Sequence, residues 1–181
     1  IDTWYEENLL SYSIYLADAG FCGDRSMANT NGLWDPMDTA LGYGTNYTIY
    51  GSYNRLYNHK NPQFVCPQSS DLYTTASSDK GNKALDYPIG LITADEVSYA
   101  GGVDGKGNTS YYLNLGIQHW TISPAAGAAT GCTIENDGML VCGTGVCGAT
   151  PTVPAINLKS TVEIIEGGTG TSSNPYVIKT N

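Results

Sequence analysis

The chain has 181 residues, 41% of them hydrophobic and only 14% charged, with 17 acidic against 8 basic side chains and a formal charge of −9. That length buries a core without metals or many disulfides and predicts a single domain over residues 1–181. The acidic balance disfavours nucleic acid, whose phosphates need a basic footprint, and an anionic membrane surface; no apolar run approaches the roughly 20 residues of a membrane span.

Residues 2–17 read as a helix. Tyr5, Leu9, Tyr12 and Leu16 follow a three-to-four spacing, Leu10 and Ile14 lie beside them, and Gly20 ends the pattern. The chain opens at Ile1 rather than Met and goes straight into this helix, so a leader or anchoring segment is expected upstream.

Residues 20–80 are irregular, with turn signals at Asn31-Gly32, Asp35-Pro36 and Asn61-Pro62. Trp34, Tyr43, Tyr47, Tyr50, Tyr53 and Tyr57 are candidates to pin this stretch to a core. Cys22 and Cys66 bracket it, and a bridge between them would staple it. With five cysteines one is left over, and fifteen pairings are open. No zinc-knuckle spacing occurs, so disulfides in an exported protein are expected.

Tyr87-Pro88-Ile89-Gly90-Leu91-Ile92 reads as a strand. Thr93-Ala94-Asp95-Glu96 is a capping box opening a short helix that Gly101-Gly102 stops. Short strands follow at 111–115, 118–122, 131–135, 139–143, 153–158, 162–165 and 175–178. Asn136-Asp137-Gly138 is a turn. A three-residue loop there sets Glu135 opposite Met139 and Cys132 opposite Cys142, which permits a cross-strand bridge; a one-residue slip removes it. Cys22, Cys66, Cys132 and Cys142 are therefore the disulfide candidates.

Catalytic and metal motifs are thin. The two histidines, His59 and His119, lack the neighbours of a Ser–His–Asp triad, and no G-x-S-x-G elbow occurs. Asp95 and Glu96 serve the helix start. Asp104-Gly105-Lys106-Gly107-Asn108 reads as a turn rather than a calcium loop, which needs a fuller run of oxygens. Asn46-Tyr47-Thr48 and Asn108-Thr109-Ser110 match glycosylation sequons. No cofactor or metal is expected.

The high Tyr (14) and Gly (22) content is the chemistry of binding loops. Residues 125–150 carry only two charges, Glu135 and Asp137, among Ala, Gly, Thr, Cys and Val. Two readings stay open: a buried hairpin of small side chains, or a binding face on a fixed scaffold. Trp120, in the strand before it, is expected to anchor the core.

The chain also resembles a known family. Residues 1–26, Pro62-Gln63-Phe64-Val65-Cys66-Pro67, Tyr87-Pro88-Ile89-Gly90-Leu91-Ile92-Thr93-Ala94-Asp95-Glu96-Val97, His119-Trp120-Thr121-Ile122-Ser123-Pro124 and Pro154-Ala155-Ile156-Asn157-Leu158-Lys159 resemble a C-type-lectin-like domain of bacterial surface and prepilin-like proteins, similar to the variable proteins of diversity-generating retroelements. The resemblance implies an α+β, C-type-lectin-like fold: a twisted antiparallel sheet, two helices and long irregular insertions. It departs from the family at Val153, where an Arg usually precedes the Pro.

That resemblance implies a non-enzymatic, adhesin-like domain, secreted or displayed on the cell surface, with a protein or glycan ligand. It places the ligand face in the C-terminal hairpin region, the part that retroelements diversify in such proteins, on Tyr111, Tyr112, Ala125, Ala126, Ala128, Thr130, Cys132, Ile134, Val141, Cys142, Thr144, Cys147 and Thr150. One alternative is a structural pilin or surface-layer subunit whose same surface packs against filament partners. Another is an enzyme akin to formylglycine-generating enzymes, whose cysteine arrangement is not recognisable here.

Overall fold

The computed structural model describes residues 1–28, 48–126, 129–171 and 173–180. Trp34, Tyr43, Tyr47, Ala128 and the start of the first sequon lie outside the described residues.

The N-terminal helix is shorter than its periodicity predicts. Helix α1 spans Asp2–Asn8, and Leu10–Tyr15 continues as a 3-10 segment. Leu9 breaks the helix at φ −124°. Ser, Tyr and Ile then fill 11–15, residues that lose side-chain freedom or compete for backbone bonds in a helix. Tertiary pairing completes the break. Leu16 bridges Leu158, Ala17 N donates to Asn157 O and Lys159 N donates to Tyr15 O. Only Tyr5 and Leu16 of this segment are fully buried; with Ile89 they form a small core on which Leu9 and Tyr87 pack.

Strand β1 (Phe21–Cys22) pairs with β2 (Leu72–Tyr73), and β3 (Ile89–Gly90) pairs with β7 (Ala155–Ile156), both antiparallel. The strands predicted at 87–92 and 153–158 thus shrink to two residues each. Between β1 and β2, helix α2 (Gly51–Tyr53) runs into a π-helical turn over Asn54–Asn58. That turn buries Leu56 and carries Arg55. Tyr53 enters the core and stacks on the exposed Tyr57 at 5.1 Å.

Helix α3 (Ala94–Ala100) has both halves of its capping box. Thr93 Oγ1 accepts from Glu96 N at 3.0 Å, and Glu96 Oε2 accepts from Thr93 N at 2.8 Å. Ala94 and Val97 are fully buried under the central sheet. That sheet has the order β4 (His119–Pro124), β5 (Thr130–Ile134), β6 (Leu140–Gly145). Cys132 faces Cys142 and Ile134 faces Leu140, the register that a three-residue turn dictates. Beyond Cys132 the register shifts by one, so Gly131 pairs with Thr144 and Gly143, at φ +154°, is the extra residue of a bulge. A last hairpin joins β8 (Ile164–Ile165) to β9 (Val177–Ile178). The architecture is α+β, with antiparallel sheets and few helices.

The main core gathers Ile49, Tyr53, Leu56, Ala94, Val97, Tyr111, Ala125, Cys132, Ile134 and Leu140. Two expectations are corrected here. Residues 111–115 are not a strand: Tyr111 turns inward and its hydroxyl donates to Gly138 O at 3.0 Å, while Asn114 N closes a turn on Tyr111 O. Trp120 is not in the core. Along β4 the buried residues are His119, Thr121 and Ser123, so Trp120, Ile122 and Pro124 point the other way. The inward polar groups are satisfied: Thr121 Oγ1 donates to Cys132 O at 2.8 Å, Ser123 Oγ accepts from Ala94 N at 2.9 Å, and His119 Nδ1 lies 2.9 Å from Ile117 O. A satisfied polar group is cheap to bury.

Gly138 shows how tightly the hairpin turn is seated. Its φ is +79°, and a Cβ there would lie 1.9 Å from the Asn108 carbonyl oxygen. Gly138→Ala is expected to destabilise by about 1–3 kcal/mol from backbone strain alone, with the clash added. A thermal melt unchanged within a degree would contradict this seating.

Burial raises the phenol pKa of Tyr5, Tyr53 and Tyr111 above a tyrosine's ordinary value. The unfolded chain therefore loses those protons first as pH climbs. The stability from keeping them neutral is complete below about pH 10 and falls as pH rises from there through the folded values. Spectrophotometric titration is expected to show a late-ionising subset of the 14 tyrosines. If all titrate together in the native protein, this burial is wrong.

Candidate functional site

The side of β4 that carries Trp120 opens into a groove of about 600 Å³. Trp120, Ile122 and Pro124 line it from β4, Thr130 and Gly131 from β5, and Val146 from the chain just after β6. Tyr73 of β2 and Arg25, beyond β1, close the far wall. The small residues shape this space. A Cβ on Gly131 would come within 3.1 Å of Trp120 Cζ3, so the indole packs against bare backbone.

Arg25 is held in place from beneath. Its Nε donates to Asp71 Oδ1 at 2.9 Å and its backbone N to Asp71 Oδ2 at 2.5 Å. Asp71 is fully buried and also accepts from Gln68 Nε2 at 2.6 Å. The guanidinium lies 5.7 Å from the Tyr73 ring centre, within cation–π reach. Asp71 thereby fixes both the strand that carries Tyr73 and the residue facing it.

A second cleft, of about 410 Å³, adjoins the first and shares Leu91 and Ser123 with it. Asp24, Asp95 and Glu96 line it, with Phe64, Val65 and the Cys22–Cys66 bridge at its wall. Behind it Arg55 holds two carboxylates. Its Nε and Nη2 donate to the two oxygens of Asp95 at 2.9 and 2.7 Å. Its Nη1 lies 2.8 Å from Asp24 Oδ2, an ion-pair contact in which that oxygen accepts no aligned hydrogen bond. Burial alone would lower the Arg55 pKa; the carboxylates of Asp95 and Asp24 outweigh it and hold the guanidinium above its ordinary value. Gln63 N also donates to Asp95 Oδ1. These contacts tie α3, the turn that carries Arg55 and the loop before Cys66 into one frame under the clefts.

Comparison of the chain with protein-family models, with curated proteins and with solved structures finds no match. No family is shown for this chain. What it does must be read from its own surfaces.

The residues expected at the ligand face divide. Tyr111, Ala125, Cys132 and Ile134 are buried in the core, at 7% exposure for Tyr111 and 0% for the other three, so none presents a side chain to a ligand. An exposed Tyr111 is thus corrected; its hydroxyl is engaged by the hairpin turn. Cys142 is bridged to Cys132 and packs on the core. Ala126, Val141, Thr144 and Thr150 are half-buried. Thr144 Oγ1 is 2.8 Å from Thr133 Oγ1. Tyr112, 75% exposed, and Cys147, an exposed free thiol, face solvent. Thr130 alone of the set lines the groove. Both candidate disulfides are formed, Cys22–Cys66 and Cys132–Cys142. Two bridges fit an oxidising environment. Among the described residues no helix is long and apolar enough to cross a membrane.

Sequence reasoning missed Arg25, Tyr73, Trp120 and Val146 as groove residues. One signal was present: His119-Trp120-Thr121-Ile122-Ser123-Pro124 alternates strictly. The alternation says that two faces differ. It does not say which of them is inside.

Proposed function

We propose that the chain is a non-enzymatic, ligand-binding, adhesin-like domain of C-type-lectin-like fold, on a secreted or surface-displayed bacterial protein. The observation that carries this reading is the Trp120–Tyr73–Arg25 groove. It is concave, it exposes aromatic surface beside a few fixed polar groups, and the segment 125–150 contributes Thr130, Gly131 and Val146 to its wall. The scaffold beneath is cross-linked twice and held by ion pairs on buried carboxylates. Rigid support of a variable loop is what a binding surface needs. Neither histidine and none of the five cysteines lines the groove, and four of those cysteines are bridged.

The test is a binding panel. Immobilised chain is expected to retain at least one surface protein or glycan, and silence across a broad panel would sink the reading. Sequencing the locus across isolates addresses diversification: substitutions are expected to concentrate between 125 and 150, and constancy there equal to that of 87–97 would remove it.

A second reading, a pilin or surface-layer subunit, is favoured by apolar side chains left on the surface. Trp4, Leu10, Tyr12 and Ile14 of the N-terminal segment are exposed, as are Ile164, Ile165 and Val177 of the β8–β9 hairpin. The two regions adjoin: Ile14 lines a small cleft with Thr161, Glu163 and Lys179. Filaments of the full-length protein that bury this side would favour the subunit reading.

A further inference from the structure

We propose that the groove is a saccharide site, in which the C–H face of a pyranose ring seats on the indole of Trp120 without a bridging metal ion; the inference rests on the ligand-binding reading above. A pyranose is amphipathic, with an apolar ring face and a rim of hydroxyls. The groove has the matching division. Trp120, Tyr73, Ile122 and Val146 supply apolar surface, and the indole face carries the negative side of its quadrupole toward a C–H donor. Gly131 lets the indole pack against bare strand backbone, with no side chain beneath it.

One hydroxyl is set up as an acceptor. Thr130 Oγ1 donates its proton to Ala126 O at 2.6 Å. Lone pairs on that oxygen remain for a sugar hydroxyl proton. Among the described residues no carboxylate and no histidine lines the groove, although the chain carries −9 overall. A neutral or acidic sugar therefore meets no repulsion there, a basic peptide finds no counter-charge, and a cation finds no ligand set.

A strand-forming peptide is disfavoured for a separate reason. Trp120 N already donates to Pro151 O and Ile122 N to Ile92 O, while the other edge of β4 pairs with β5. No free edge of β4 is left for strand addition.

The experiment is an array of bacterial and host oligosaccharides probed with the chain in calcium and again in EDTA, with each hit titrated by intrinsic tryptophan fluorescence. Binding equal in calcium and EDTA is expected, with an emission change that persists in Trp4→Phe. Trp120→Ala is expected to weaken binding at least tenfold. Val146→Lys alters a 55% exposed side chain at the groove wall, so it is expected to lose binding at an unchanged melting temperature even if Trp120→Ala fails to fold. An array without a hit, binding that survives Val146→Lys, or binding abolished by EDTA overturns the saccharide site. If a protein ligand binds at this groove and no saccharide does, the ligand-binding reading stands and the saccharide inference falls. If neither binds, both fall.

Discussion

Replacing Arg55 with Met is expected to lower the unfolding free energy by about 3–5 kcal/mol, the cost of stranding buried carboxylates by removing their partner. The Arg55 side chain is 12% exposed, and those of Asp24 and Asp95 are 3% and 5% exposed. One guanidinium serves both acids, so its loss leaves two desolvated charges. Arg55→Lys is expected to recover only part of the loss, because an ammonium cannot reproduce the bidentate contact with Asp95. Combining Arg55→Met with Asp24→Asn and Asp95→Asn is expected to restore much of the stability, since neutral groups cost less to bury than unpaired charges. Urea unfolding checks all three. A single Met variant within about 0.5 kcal/mol of the parent, the range of ordinary surface changes, would show that this network is not the frame of the clefts.

Removing the Cys22–Cys66 bridge by double Ser substitution is expected to cost about 4 kcal/mol, from the chain entropy of closing a loop of this length. The bridge spans 44 positions, against 10 for Cys132–Cys142. The shorter bridge is expected to contribute about 3 kcal/mol by the same relation, and the hairpin around it is already held by its turn and register. The longer bridge has a second consequence. Gly23 and Arg25, in the groove wall, directly follow Cys22, and Phe64 and Val65 directly precede Cys66. Loss of the bridge is therefore expected to weaken ligand binding as well as stability. Urea denaturation of the Cys22/Cys66 and Cys132/Cys142 double Ser variants separates the two bridges; equal losses for both variants would contradict the loop-length argument.

The stability of this chain and its proposed function draw on the same arrangement. Asp71 orders Arg25, and Arg55 orders Asp24 and Asp95, so each cleft rests on an ion pair between a buried carboxylate and an arginine distant in sequence. With only 14% charged residues, the chain places several of its few charges inside. The outer surface is left to Tyr, Thr, Gly and apolar side chains, which suit contact by shape more than by field.

Sequence alone determined the features whose partners lie within a few residues. Thr93 and Glu96 satisfy each other across three positions, so the start of α3 was legible. Asn136-Asp137-Gly138 marks the hairpin turn, and a three-residue loop there permits Cys132 to face Cys142, the register that the folded hairpin adopts. Tertiary structure decided everything that depends on distant partners. Fifteen cysteine pairings were open until the fold brought Cys22 and Cys66 together, with Cα atoms 5.6 Å apart. Arg55 is one of several scattered cations in an irregular stretch, and nothing local points to Asp24 or Asp95. Tyr111 is buried because the Gly138 carbonyl, 27 positions away, receives its hydroxyl. The face of β4 was reversed for the same reason. Trp120 and Ile122 are the more apolar residues, yet Thr121 and Ser123 go inside because Cys132 O and Ala94 N wait there to bond them. Hydrophobicity is a property of each residue, whereas hydrogen-bond satisfaction belongs to a pair, and only the folded chain supplies the second member.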